Sequence, residues 1–168
     1  MKRRMTPILS VVVLLALLAL TAVVVSADSP RFSRVSSTTD SSGNLLVSFR
    51  ETGLGNTPNP VNYNVSGNAS ATYVCINGGG RHPKATNKET VNSAVSQGAQ
   101  FLPDNGNVDA TIQVNVPGPG SFSCPSGQSL QLACVTYSGL VLTDTDHNVS
   151  TAVPNATFSS PRYGQFCQ

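Results

Sequence analysis

From Val61 to Cys75 the odd positions are Val, Tyr, Val, Gly, Ala, Ala, Tyr and Cys, while every even position from Asn62 to Thr72 is polar. A strict period of two is the mark of a strand with one buried and one wet face, since a helix would rotate such a set around its axis. The run is long for a single strand, so Gly67 is expected to mark a bulge or bend. Any fold for this chain must give that strand a sheet to sit in and a second layer to cover its apolar face.

The rest of the sequence supplies more strands and no helix. Leu45 to Phe49 is a first short strand, followed by the breakers Gly53, Gly55, Pro58 and Pro60. Residues 108–116 repeat the alternation, with Val108, Ala110, Ile112, Val114 and Val116 on one face. A strand over about 90–102 precedes them, with Val91, Val95, Ala99 and Phe101 inward. Between the two lies Asp104-Asn105-Gly106-Asn107, and Asn-Gly suits the tightest hairpin turn because both central residues need positive φ. The reading therefore pairs these strands directly, Phe101 opposite Ala110 and Ala99 opposite Ile112, which lands both apolar sets on one face. Leu130 to Leu142 is apolar on both faces in part and reads as a central strand broken near Gly139. Val149–Val153 and Ala156–Phe158 complete the set. Six to eight strands at turn-bounded spacing, with no helical periodicity, imply an all-β fold: a single antiparallel β-sandwich of immunoglobulin-like architecture. The buried Trp of antibody-type domains is missing, as the chain has no Trp.

The first 27 residues read as a targeting segment. Lys2, Arg3 and Arg4 precede an apolar run from Ile8 to Val25, which ends in Val25-Ser26-Ala27 with Asp28 next. That is the three-part pattern of a secretory signal. The run is also just long enough for an uncleaved anchor; the small residues at its end favour cleavage, and no second apolar run follows. The expected organisation is a signal peptide over 1–27, a flexible Ser/Thr-rich lead-in over 28–43 and a secreted sandwich over 44–168, with no membrane association after cleavage. The whole chain has a net charge of +2, and removing the leader's three basic residues leaves seven basic and eight acidic groups. A basic nucleic-acid footprint is therefore absent from the mature part.

Cys75, Cys124, Cys134 and Cys167 all lie beyond the leader. An even count in an exported chain reads as two disulfides, with three possible pairings. Cys75–Cys124 and Cys134–Cys167 are favoured. The first would join a strand end to a turn-rich loop, and the second would staple the C-terminal tail to a strand. No C-x-x-C occurs, and His82 and His147 lack partners at ligand spacing, so no metal centre or other cofactor is expected.

Three segments carry candidate chemistry. Asp144, Asp146 and Asn148 begin like a calcium loop, yet Val149 and Asn155 stand where an EF-hand needs Gly and Glu. A polar hairpin turn is the competing reading. The loop from Asn77 to Lys88 holds three consecutive glycines and the charged group Arg81, His82, Lys84 and Lys88, which could bind an anion or acidic glycan; a solvated loop is its plain alternative. Hydrolase chemistry lacks its constellations: there is no G-x-S-x-G, His147 adjoins Asp146 along a turn, and Glu51 and Glu89 are the only glutamates. The expectation is a protein that is not an enzyme. Tyr137 is a candidate exposed aromatic for sugar stacking.

Ala71 to Gly80, Asn87-Lys88-Glu89 and Gly120 to Gln128, with Cys75 and Cys124 inside them, resemble small secreted β-domain proteins of actinobacteria and related bacteria whose activity is uncharacterised. The resemblance covers about residues 45–158. It supports the Cys75–Cys124 pair and implies no activity or site residues. The expected function is a non-catalytic binding or structural role at the cell envelope or in the extracellular medium. Loops 77–88 and 117–129 would form the contact surface, and a cell-wall or extracellular glycan or a secreted protein would be the partner. A small inhibitor or antimicrobial effector is the alternative, and a hydrolase with an unrecognised site comes third.

Overall fold

The computed structural model describes residues 29–77 and 87–167. The expected leader over 1–27 and most of the 77–88 loop lie outside them. Eight strands follow in chain order: β1 (Arg31–Thr39), β2 (Leu45–Thr52), β3 (Val61–Asn77), β4 (Lys88–Phe101), β5 (Asn107–Val114), β6 (Gln128–Asp144), β7 (Val149–Ala152) and β8 (Ala156–Ser159). They form an all-β sandwich. One sheet has the order β1-β2-β5; the other runs β4-β3-β6, with β7 and β8 side by side along the far edge of β6. Every pairing between strands is antiparallel.

The alternation in β3 works as its sequence requires. Val61, Tyr63, Val65, Ala69, Ala71 and Tyr73 are buried against Leu45, Val47 and Phe49 of β2 and Ile112 and Val114 of β5. Gly67 does lie at a bulge. Between Ser66 and Asn68 the β6 register slips, so that Gly139 and Leu140 stand opposite one residue of β3. Gly139 takes a φ of 60°, the left-handed conformation that such a bulge assigns to glycine. A Cβ on Gly67 would come 2.7 Å from Leu140 Cδ2 and 3.1 Å from its Cα, so the glycine is also what lets the two strands close.

At its C-terminal end β3 changes character, and Thr72 to Ile76 are buried on both faces. Val74 and Ile76 face away from the main core and pack with Ala133, Tyr163 and Phe166 in a second small cluster. The C-terminal tail supplies the cover. It is held by the Cys134–Cys167 disulfide and by Ser160 N–H donating to the Ala133 carbonyl at 2.8 Å. Both favoured disulfides are present, and among the described residues no cysteine is free.

Two expectations are corrected. The 28–43 segment is not a flexible lead-in: Arg31–Thr39 is a strand, paired with β2 along its length. Its sequence hides this because an extra residue, Ser33, bulges out between Phe32 and Arg34. The bulge shifts the phase, so the inward residues are Phe32 and then Val35, three apart rather than two. The direct pairing of the 90–102 and 108–116 strands is also overturned. The Asn105-Gly106 turn forms, with φ of 48° and 73°, and Asp104 and Asn107 exchange both backbone hydrogen bonds. The chain then parts: β4 pairs with β3 and β5 with β2, so the turn is a corner between sheets. Facing sheets bury both apolar sets just as a shared sheet would, so parity alone could not separate the two arrangements.

Replacing Cys134 and Cys167 together with Ala should cost about 3–4 kcal/mol, from release of a 33-residue separation. A shift in the urea midpoint measures this, and an unchanged midpoint would mean the tail docks without its staple. Gly67→Ala should destabilise by about 1–3 kcal/mol through overpacking on Leu140, read as a lower melting temperature.

Candidate functional site

The structure assembles one end of the sandwich from segments distant in sequence. The β3–β6 ladder runs out to Asn77 opposite Gln128, so the chain leaves β3 and enters β6 side by side. The Cys75–Cys124 disulfide, with Cα atoms 5.5 Å apart, ties the 115–127 connection to the end of β3. The Tyr73 hydroxyl donates to the Pro117 carbonyl at 2.6 Å, a second anchor for the same loop. Asn87 Nδ2 donates to Gln128 Oε1 at 3.5 Å. A shallow groove of about 510 Å³ runs between Glu89–Val91 and Pro119–Ser123. Of the four candidate binding residues only Lys88 is described; it opens β4 opposite Val74, half-buried. Arg81, His82 and Lys84 lie outside the described residues, as does the glycine triplet.

The opposite end holds a buried polar cluster that the sequence reading missed. β2 continues its inward parity past Leu45, Val47 and Phe49 to Glu51, whose side chain is fully buried. Asp144, opposite Tyr63 on β6, is fully buried too. Asp144 Oδ1 accepts the backbone N–H groups of Asp146 and His147 at 2.9 and 3.1 Å, and His147 Nδ1 lies 2.6 Å from Oδ2. Both oxygens of Glu51 and the Tyr63 hydroxyl are buried without a hydrogen-bond partner among the described residues. Burial, opposed by the nearby Tyr63 hydroxyl and reinforced by the charge of Asp144, pushes the Glu51 carboxyl up to about 7. Burial likewise raises the Tyr63 hydroxyl well above its ordinary value, with Glu51 adding to the shift.

The calcium candidates are part of this construction. Asp144 caps its own turn. Asp146 instead accepts the backbone N–H and the side-chain amide of Asn62, which hold its carboxyl below the ordinary range. Asn148 closes the turn at a φ of 57°. Thr145 to Asn148 is thus a hairpin turn between β6 and β7. Among the described residues no group of three or more His, Cys, Asp and Glu is placed to hold a metal ion. His147 pairs with Asp144, not with the adjacent Asp146, and no hydroxyl or thiol is hydrogen-bonded to its ring among the described residues. Glu51 on the smaller sheet and Asp144 on the larger are both fully buried, and the hydrogen bonds of Asp144 stay within its own β6–β7 turn.

The outer face of the larger sheet is a field of hydroxyls and amides. Asn62 pairs with Gln100 at 2.6 Å, Asn64 with Ser96 at 2.9 Å, Thr72 with Thr90 at 3.0 Å and Thr143 with Ser150 at 2.9 Å. The aromatics on this face among the described residues, Tyr163 and Phe166, are half-buried and pack on Val74, Ile76 and Ala133. Tyr63, Tyr73 and Tyr137 are all buried, and the Tyr137 hydroxyl donates to the Gly43 carbonyl at 2.9 Å. The expectation of an exposed Tyr137 is therefore wrong: its odd position in β6 faces the core, and its polar tip finds a backbone partner there. No protein-family model, curated protein or solved structure matches the chain. No helix among the described residues is long and apolar enough to cross a membrane.

The raised Glu51 carboxyl sets a pH dependence. The folded state holds that proton more tightly than the unfolded chain, so stability contributed by neutral Glu51 is full below about 4.5 and falls as pH rises through about 7. Glu51→Gln should flatten this slope and stabilise the protein by ~2–3 kcal/mol at pH 8 relative to wild type. Urea midpoints at pH 5 and pH 8 measure it; equal slopes in wild type and variant would show that Glu51 keeps its ordinary acidity.

Proposed function

We propose that the chain is an exported, non-catalytic binding domain on an immunoglobulin-like scaffold, acting at the cell envelope or in the extracellular medium. The strand order supports the scaffold: first, second and fifth strands form one sheet, and third and sixth lie at the heart of the other. In the constant-type sandwich the fourth strand joins the first sheet, whereas here β4 pairs with β3, as the added strand of the variable type does. Two disulfides suit an oxidising compartment.

The observation that carries the binding role is the loop end. The Cys75–Cys124 bond and the Tyr73–Pro117 hydrogen bond anchor the 115–127 connection beside the end of β3, so a partner would meet a contact loop that is held before binding and loses little ordering entropy. Arg81, His82, Lys84 and Lys88 give that surface its positive groups, which fit an acidic wall polymer or an acidic glycan. With Tyr63, Tyr73 and Tyr137 buried, such binding would rest chiefly on charge and hydrogen bonds. An inhibitor of a secreted enzyme is the second reading, favoured by the double anchoring of the 117–124 loop through Cys124 and Tyr73.

Co-sedimentation of the chain from Asp28 onward with purified cell walls tests the first reading. Saturable retention is expected, weakened about tenfold in the triple variant R81A/K84A/K88A and by added salt. Retention indifferent to both would place the contact elsewhere. No retention at all, with a stable complex recovered from culture medium, would favour the inhibitor.

A further inference from the structure

A sandwich leaves four sheet edges, and unpaired edges invite pairing with another chain unless something blunts them. Three are blunted here. β1 carries Arg31, Arg34 and the Ser33 bulge, and Ser37 and Thr39 donate hydroxyls across to the carbonyls of Pro154 and Thr157. β5 has only eight residues, and its exposed Asp109 engages Arg34 and Arg50. β7 and β8 are four residues each and are separated by Pro154. β4 is different. It runs for fourteen residues, pairs with β3 without a bulge, and from Thr90 to Phe101 has no charge and no proline. Ser93 and Gln97 turn their side chains onto the carbonyls of Ala94 and Gly98 in the same strand, at 3.0 Å each. Such local bonds stand in where a ladder partner is missing. Among the described residues no strand pairs with the free side of β4. Beside it, Val91, Val95 and Ala99 are only half-buried and Leu102 is 64% exposed.

We propose that two copies of this chain pair through β4, antiparallel about a two-fold axis at Ser96, so that the two larger sheets become one continuous sheet. The strand is complementary to itself in that register. Ser96 meets Ser96, Ala94 meets Gly98, and Asn92 meets Gln100 on the outer face. On the inner face Val91 meets Phe101. Like side-chain types oppose one another on the outer face and at Val91–Phe101, while on the inner face Val95 meets Gln97 and Ser93 meets Ala99; faces match because partner numbers share parity. The register brings the Lys88-Glu89 end of each strand beside the other copy's Phe101 end, so the charges of the two copies are kept apart. A parallel pairing would instead set Lys88 against Lys88 and Glu89 against Glu89. Two-fold closure uses the edge once per copy and leaves no free edge to propagate a fibre.

Sedimentation velocity on the chain from Asp28 onward, which holds every contact described above, is the test. Wild type should show a reversible monomer–dimer equilibrium, with amide exchange in β4 slowing as concentration rises. Ser96→Lys and Ser96→Glu each place like charges across the axis and should each weaken the dimer about tenfold or more. Mixing the two variants should restore it. Ser96 is exposed and its hydroxyl donates to Asn64 Oδ1 at 2.9 Å, so each variant gives up one surface hydrogen bond and, compared at a dilution where all are monomeric, should melt within a few degrees of wild type. A wild type that stays monomeric with concentration-independent exchange overturns the proposal. So does a dimer that neither charge disturbs, or a pair of variants that fails to recombine.

Discussion

The β3–β6 pair is the axis on which the other elements depend. Both strands have seventeen residues, and their ladder runs from Tyr63 opposite Asp144 to Asn77 opposite Gln128. A span of that length accumulates twist, and two register slips absorb it, at Gly67 and between Thr72 and Tyr73. The first is made by Gly139 and Leu140 together facing Gly67. The second inserts Ala133, the residue that founds the minor cluster with Val74 and Ile76. Both disulfides then leave from this pair, Cys75 from β3 and Cys134 from β6. The loop at one end and the C-terminal tail are therefore referenced to the same two strands.

That arrangement explains which parts of the molecule were legible in the sequence. Period two is local, so β3, β5, β6 and the inward faces of β4 could be read directly from residues. The disulfides followed from their strand and loop context. Partner choice is not local. Phe101 and Ala110 satisfy parity equally well as a cross-strand pair or as residues of facing sheets, and only the fourteen-residue match with β3 decides. β1 was hidden for the reason that a bulge at Ser33 puts Phe32 and Val35 out of phase. The loop end was legible as a set of segments, and Lys88 among its candidate residues is placed there. Glu51 was legible in principle: it extends the odd-numbered inward row of β2 by one step beyond Phe49, and a strand read as far as Thr52 would have delivered a carboxyl into the core.

The buried carboxyls qualify the picture of a purely apolar interior. Glu51, Tyr63 and Asp144 sit beside a ring cluster in which Phe49 and Tyr63 lie 4.8 Å apart, with Phe32 and Phe101 around them. Asp144 is satisfied by the turn it caps, so its burial is offset by three partners. Glu51 has no such compensation, and staying neutral is how a lone carboxyl tolerates that site. The Glu51 carboxyl, raised to about 7, thus makes the end of the sandwich opposite the loops sensitive to proton concentration near neutrality.

Low charge shapes the exterior in the same physical terms. Only 11% of residues are charged, and among the described residues the ion pairs outside the Asp144 turn join Arg34 and Arg50 to one carboxylate, Asp109, at the solvent surface. Exposed pairs of this kind contribute little. The outer face of the larger sheet relies instead on cross-strand hydroxyl and amide contacts, each worth a fraction of a kcal/mol and indifferent to salt. A surface built this way gives up the repulsion by which charged strands keep apart. The sandwich then has to control its edges by geometry, through bulges, prolines and short strands. β4, unbulged along its match with β3 and uncharged from Thr90 to Phe101, is the edge where that control is absent.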